Sequence, residues 1–271
     1  MKKHLLCLLI PFLFLSPPSF AKDRLVKTEA IPGGIVIKRV PCNTRVFFNN
    51  YRVTVIKQNK KCLAIVGIPL SAKPGKKALI VESINRQKET PFYVRSKKYP
   101  AVYIKIKNRQ MVTPNKKNLK RIKRKRKSLQ TSFNSWRSWS KVNIHFIKPV
   151  KGRMSCPFGL KRFFNGKQRS SHAGVDIAAP TGTPVRAAAS GVVINTENYY
   201  YTGNAVFINH GQGLTTVYCH LSKILVKPKQ KVKQGQIIGR VGQTGRATGP
   251  HLHWGVNLNN ARVNPMLFLK K

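Results

Sequence analysis

The chain has 271 residues, of which 52 are Lys or Arg and only 6 are Asp or Glu, a formal net charge of +46 at neutral pH. That length suits two domains of ordinary size, each able to bury a core. So one-sided a charge excludes cationic partners and favours anionic ones (nucleic acid, cell-wall carboxylates or lipid phosphates), unless it reflects only a coding bias toward Lys and Asn.

The N-terminus reads as a secretory signal. Met1-Lys2-Lys3-His4 is a positive start, residues 5–15 form an apolar run, and Ser19-Phe20-Ala21 places small residues before a cleavage point at Lys22. Residues 1–21 are therefore expected to be a signal peptide and the mature protein to be exported and soluble. The apolar run is too short for a comfortable transmembrane helix, and no later stretch approaches the needed length. Cys7 lies inside the run rather than at its end, which argues against a lipid-anchored cysteine. Export permits disulfides, and Cys42 with Cys62 are expected to close a short loop. The pairing of Cys156 and Cys219 stays open. Export also speaks against nucleic acid as the main partner, leaving anionic wall or membrane surfaces.

Residues 22–112 read as a small β-sandwich or barrel. Short β-runs at 34–37, 44–48, 51–56, 62–66, 78–81, 92–94 and 102–106 are divided by polar turns, among them Asn49-Asn50 and Gln58-Asn59-Lys60-Lys61. No cluster of ligand residues lies there, which assigns this part a structural or regulatory role. A connecting helix is expected over 113–141, with Thr113 as N-cap and Pro114 in the first turn. Leu119, Ile122, Leu129, Phe133 and Trp136 recur at roughly helical spacing, opposite a face of Lys120, Arg121, Lys123, Arg124, Lys125, Arg126 and Lys127. Such a helix either binds an anionic surface or is solvated on its basic side and docks by its apolar stripe, and docking is the reading adopted.

Residues 142–271 are again β-rich, with runs at 191–194, 205–208, 215–219, 237–238 and 251–256. The glycines at 242, 245 and 249 lack the Gly-Lys-Ser/Thr ending of a phosphate loop and precede a strand rather than a helix. Five of the seven histidines fall within residues 172–271: His172, His210, His220, His251 and His253. His251 and His253, two apart on a strand, point to one face. Asp176 stands four residues after His172, a carboxylate retained in a chain nearly without them. Two histidine clusters around one aspartate suggest a metal site with acid–base groups beside it. Spacing alone leaves open which of His251 and His253 would bind metal. Cys219, next to His220 on a strand, is expected to face away from it.

The stretches His172-Ala173-Gly174-Val175-Asp176, Ala179-Pro180-Thr181-Gly182-Thr183-Pro184-Val185, Ser190-Gly191-Val192-Val193, Tyr218-Cys219-His220-Leu221-Ser222 and Thr248-Gly249-Pro250-His251-Leu252-His253 carry a resemblance. Residues 148–268 resemble the LytM/lysostaphin-type zinc metallopeptidases, family M23, which cut peptide bonds in bacterial cell walls. The first domain is more weakly similar to the N-terminal half of periplasmic Gram-negative members. The resemblance implies a mainly β protein: a β-sandwich-like first domain, a basic connecting α-helix and an antiparallel-sheet peptidase domain.

It further implies one Zn2+ per chain held by His172, Asp176 and His253, His251 as general base, and His220 beside the developing oxyanion. His210 is expected only to shape a turn with Gly211. The implied activity is a periplasmic zinc endopeptidase acting on peptidoglycan peptides, at D,D cross-links. The alternatives are a non-catalytic wall-binding activator of other hydrolases, which a lost ligand would favour, and a basic surface- or nucleic-acid-binding protein. Residues 22–141 are expected to cover the groove in part, docked through Leu129, Phe133 and Trp136.

Overall fold

Polar turns with left-handed residues set the first strands. The computed structural model describes residues 26–139 and 142–269, so the expected signal peptide lies outside the described residues. The strands are β1 (Ile35–Val40), β2 (Arg45–Phe48), β3 (Tyr51–Arg52), β4 (Thr54–Gln58), β5 (Lys61–Gly67), β6 (Gly75–Glu82), β7 (Gln87–Val94) and β8 (Ala101–Ile104). Asn49-Asn50 and Asn59-Lys60 all have positive φ, the geometry that two-residue hairpin turns demand. Strands β1, β5 and β4 form a three-stranded sheet in the order β1-β5-β4, and β3-β2-β6-β7 a four-stranded one. Val36, Ala64 and Val66 point between these sheets with Phe48, Leu79 and Phe92. Cys42 and Cys62 are bonded as expected, with Cα atoms 5.0 Å apart. The loop they close restrains the unfolded chain by about 3 kcal/mol in the chain-entropy view.

The other face of the three-stranded sheet is buried too. Ile35, Ile56 and Ile65 belong to the same core as Tyr218, Trp254 and Leu258 of the second unit. Asn259 clamps the junction, accepting from the Gly67 N–H (2.7 Å) and donating to the Gly67 carbonyl (3.0 Å). Gln212 adds a second clamp, accepting from Val55 N–H through its side chain and from the Thr54 hydroxyl through its carbonyl, each at 2.8 Å.

Helix α1 (Lys116–Phe133) starts later than Thr113-Pro114 would have it. Asn115 is the N-cap, its side chain accepting from Asn118 N–H at 2.9 Å. Thr113 instead ends the turn before the helix, its N–H bonded to the Arg109 carbonyl four residues back. The apolar stripe is also shorter than its spacing suggests. Leu129 and Phe133 pack on Tyr199, Phe207, Val217 and Cys219, whereas Leu119 is exposed. Trp136 lies beyond the helix end, under the Arg52 guanidinium at 4.8 Å. Lys125 pairs with Glu197 at 2.5 Å, so the helix docks by its basic side as well. No helix among the described residues is long and apolar enough to cross a membrane.

The second unit contributes β9 (Arg153–Cys156), β10 (Lys161–Phe164), β11 (Lys167–Arg169), β12 (Val175–Ala178), β13 (Pro184–Arg186), β14 (Gly191–Tyr199) and β15 (Gly203–Asn209). After these come β16 (Thr215–Leu221), β17 (Lys223–Ile224), β18 (Lys231–Val232), β19 (Ile237–Arg240), β20 (His251–Leu258) and β21 (Ala261–Val263). Seven run in the order β18-β14-β15-β16-β20-β12-β9, with β21 beside β20, to make an eight-stranded sheet. Strand β8, which lies within the first stretch of chain, pairs in parallel with β10 and so completes a small sheet of the second unit.

His210 anchors the turn before β16. Its ring bonds the Ser190 carbonyl (2.9 Å) and the Thr216 hydroxyl (2.8 Å), and its backbone N–H bonds Leu214. Burial pushes this imidazole down to about 4, although the Ser190 hydrogen bond opposes the shift. Below about pH 6.5 the unfolded chain takes up a proton that the folded chain refuses until about pH 4. This contribution, about 3 kcal/mol at most, is full above pH 6.5 and is lost as pH falls toward 4. Thermal unfolding followed by circular dichroism should show Tm falling across that window, and falling less in His210→Gln.

Candidate active site

Three strands bring the metal-type residues to one face. In register, Asp176 on β12 lies directly opposite His253 on β20 and Cys156 on β9. Direct cross-strand partners share a face, so their side chains converge. His172 enters from the loop before β12. Its backbone bonds Leu160 and Gly159, and its Nδ1 donates to the Pro157 carbonyl at 2.8 Å. Its Nε2 is aimed at Asp176 Oδ1 (3.0 Å) and His253 Nδ1 (3.0 Å), while His253 Nδ1 lies 2.7 Å from the same carboxylate oxygen. Gly174 must lack a side chain, because a Cβ there would sit 2.8 Å from the His253 ring and 2.5 Å from the Trp254 carbonyl.

The donor set fits a divalent cation. A tetrahedral ion with bonds of about 2.0–2.1 Å holds its ligands about 3.3 Å apart, a few tenths of an ångström wider than these three atoms stand. Burial alone would neutralise Asp176, but hydrogen bonds from His172 and His253 hold its carboxyl well below the usual range. Burial likewise opposes charge on His172, yet the Asp176 carboxylate and the nearby Cys156 raise it to about 9. The Asp176 carboxylate thus stays ionised, and a cation among these donors would take the place of the His172 proton that balances it. Geometry favours His253 over His251 as the third donor, since His251 Nε2 lies 3.9 Å from Asp176 Oδ1.

His220 and His251 stand beside this cluster with ring centroids 4.8 Å apart. Both are oriented by the glycine-rich turn, which works through its carbonyls and not as an anion loop. His220 Nδ1 donates to Thr244 O at 2.7 Å and His251 Nδ1 to Gly249 O at 2.8 Å. Each Nε2 is therefore a free lone pair in the neutral ring. Burial, reinforced by His251 and His253, pushes His220 down to about 3.

His220 also has a φ of 61°, and the ladder between β15 and β16 shifts register there. This bulge overturns the expectation for Cys219, because strict alternation ends at His220. Cys219 is the direct partner of His253 and shares its face, sunk among Tyr199, Phe207 and Val217. Cys156 and Cys219 thus lie three strand spacings apart, about 14 Å, beyond the reach of a disulfide. Both are free. The Cys156 sulfur lies within 4.8 Å of the donor atoms of His172 and Asp176, a neighbour that sequence spacing did not reveal.

Residues 110–113 lie along one side of the site. The Gln110 carbonyl accepts from Tyr200 OH (2.9 Å), Met111 O from Arg246 (3.2 Å) and Val112 O from Arg169 (2.6 Å). Lys167 Nζ reaches the Thr113 hydroxyl at 3.2 Å.

Residues 170–265 match the model of peptidase family M23, and residues 28–97 match that of the peptidase family M23 N-terminal domain. A crystal structure of a putative peptidase M23 from Pseudomonas aeruginosa is 37% identical and superposes with a TM-score of 0.76, covering 89% of this chain and 95% of that one. The chain belongs to peptidase family M23. Among curated proteins, this M23 chain is 49% identical over 117 residues to the peptidoglycan DD-endopeptidase ShyA of Vibrio cholerae. It is 45% identical over 121 residues to the DD-carboxypeptidase/endopeptidase Mpg of Neisseria meningitidis. These matches take in 43% and 44% of this chain but only 27% and 28% of the relatives' own length.

The two free thiols of the M23 chain should differ in reactivity. Burial pushes the Cys219 thiol far up, whereas Cys156 is half-buried at the mouth of the site. Iodoacetamide should alkylate Cys156 in the native protein and Cys219 only after denaturation. Peptide mass mapping checks this; equal native labelling would contradict the placement of Cys219.

Proposed function

We propose that this chain is a zinc-dependent endopeptidase that hydrolyses peptide bonds of bacterial peptidoglycan, D,D cross-links being the bond class, and that it works outside the cytoplasm, in the periplasm. The observation that carries the reading is the convergence of His172 Nε2, Asp176 Oδ1 and His253 Nδ1 within 3.0 Å of one another, with two further imidazoles alongside. His172, Asp176 and His253 would hold one zinc ion. When bound, it supplies a water of lowered pKa and polarises the scissile carbonyl.

The other steps belong to side chains of this chain. His251, with Nδ1 tied to Gly249, keeps Nε2 open to accept a proton from the attacking water and to pass it to the leaving amine. His220 is likewise an acceptor at Nε2 while neutral. It donates to a developing oxyanion only after taking up a proton, which the oxyanion's negative charge itself favours. A non-catalytic activator would be favoured by a missing ligand, and the sequence lacks none of the five residues. The contacts of residues 110–113 with Tyr200, Arg246 and Arg169 support the expectation that residues 22–141 cover the groove in part.

His172→Ala, Asp176→Ala and His253→Ala should each lose zinc on metal analysis. His251→Ala and His220→Ala should keep it while turnover of purified peptidoglycan falls by roughly 10²–10⁴-fold. Chelator should abolish wild-type products on mass spectrometry. Zinc shed by His251→Ala but kept by His253→Ala would reverse the two roles.

A further inference from the structure

Three guanidinium groups meet at the rim of the site with no carboxylate in contact, although Arg162 feels the charge of Asp176. Arg162 on β10 and Arg169 on β11 are direct cross-strand partners, so two like charges share one face of a short hairpin. Such a pair destabilises a ladder. Arg246, from the glycine-rich turn, reaches the same place. Its guanidinium carbon lies 4.4 Å from the centre of the Phe164 ring, on which Arg162 also rests at 5.6 Å, and 4.3 Å from that of Tyr201. All three are partly buried.

Among the described residues, no carboxylate lies within 4.0 Å of any of them. Their hydrogen bonds go to neutral carbonyls instead. Arg162 donates to Ser170 and Ser171, Arg169 to Val112, and Arg246 to Met111. Arg169 Nε is buried and has no partner. Burial and the neighbouring Arg162 and Arg169 bring Arg246 down to about 10, a sign that its charge is disfavoured where it stands. Like charges gathered in a part-buried place are unfavourable until an anion joins them, and a guanidinium fork matches a carboxylate in both charge and shape.

The cradle also adjoins the reacting centre. Arg162 bonds the carbonyl of Ser171, the residue before His172, and Thr244 and Gly249 of the turn that carries Arg246 hold His220 and His251.

We propose that Arg162, Arg169 and Arg246 form a carboxylate-binding subsite that seats a free carboxylate of the peptide beside the bond to be cut. This names the substrate class of the site already described and rests on the reading of it as a peptidase. The Met111 and Val112 carbonyls accept from the same donors, so an entering carboxylate displaces them.

The test uses the full mature chain and two synthetic wall-type peptides that are identical except that one has its carboxylates amidated. Binding to the zinc-loaded His251→Ala protein, which should not turn the peptides over, is measured by calorimetry, and KM is measured on wild type. The acid peptide should bind about tenfold or more tightly than the amide, the effect of at least one charge-assisted hydrogen bond. The preference should weaken in 0.5 M salt only in part, as the subsite is half-buried. Arg246→Gln and Arg169→Gln should each bring the ratio toward unity, and Arg246→Lys should restore part of it.

Equal binding of acid and amide, or an undiminished ratio in both Gln variants, overturns the subsite. The acid/amide comparison needs no arginine variant, so a variant that fails to fold does not shield the proposal. If wild type cuts both peptides with equal KM, the subsite falls and the peptidase reading stands. If it cuts neither yet the acid form still binds in preference, the reverse holds.

Discussion

One carboxylate holds the site together. Asp176 Oδ1 accepts from two imidazoles at 2.7 and 3.0 Å, and a third lies at 3.9 Å. Strand pairing makes this contact almost unavoidable, since Asp176 faces His253 across one ladder and Cys156 across the other. Removing one partner of a buried charged set costs about 3–5 kcal/mol, because the groups left behind lose their counter-charge. In a chain with a formal net charge of +46, that loss has few local remedies. Asp176 is therefore both a candidate ligand and the element that keeps the imidazoles in mutual reach.

The same sheet face serves two purposes. At one end it carries the histidines; at the other it receives Leu129 and Phe133 of α1 on Phe207, Val217 and Cys219. Asn257, on the histidine strand β20, donates to the Phe133 carbonyl at 2.9 Å. The helix thus closes the far end of the floor on which the histidine cluster stands. On the opposite side of the second unit, the three-stranded sheet of the first is buried on both faces, with Asn259 and Gln212 fixing its register against its neighbour. The first unit is seated by packing and hydrogen bonds, and not merely tethered by a linker.

Much of this was legible where local rules hold. His251 and His253 share a face because β20 is regular there, and the strands of the first unit follow their alternation and their Asn-rich turns. The reading failed where a residue leaves the regular conformation or where a partner lies far along the chain. The left-handed conformation of His220 ends the alternation that was used to place Cys219. Asn115 outcompetes Thr113 as N-cap because Thr113 is drawn back onto the Arg109 carbonyl of the preceding turn. Neither the opposition of Arg162 to Arg169 nor the approach of Arg246 has any periodic signature, for both are fixed by a hairpin and a distant turn. Which of His251 and His253 would bind metal was open from spacing and was implied only by the family likeness; His253 stands nearer to Asp176 than His251 does.

The parallel pairing of β8 with β10 bears on how the molecule is assembled. Residues 101–104 are made well before residues 161–164, and parallel ladders need a crossover that delays their closure. The Asn259–Gly67 clamp spans 192 residues. A chain emerging from its N-terminus can complete the sandwich of β1 to β7 early, but it must carry the β8 edge unpaired until residues 161–164 are made, and the outer face of β1-β5-β4 uncovered until nearly the last residues arrive. Exposed edges of that kind invite association with other chains. The dense positive charge around them, with Lys97, Lys98, Lys105 and Lys107 flanking β8, would keep such half-made chains apart by mutual repulsion during that interval.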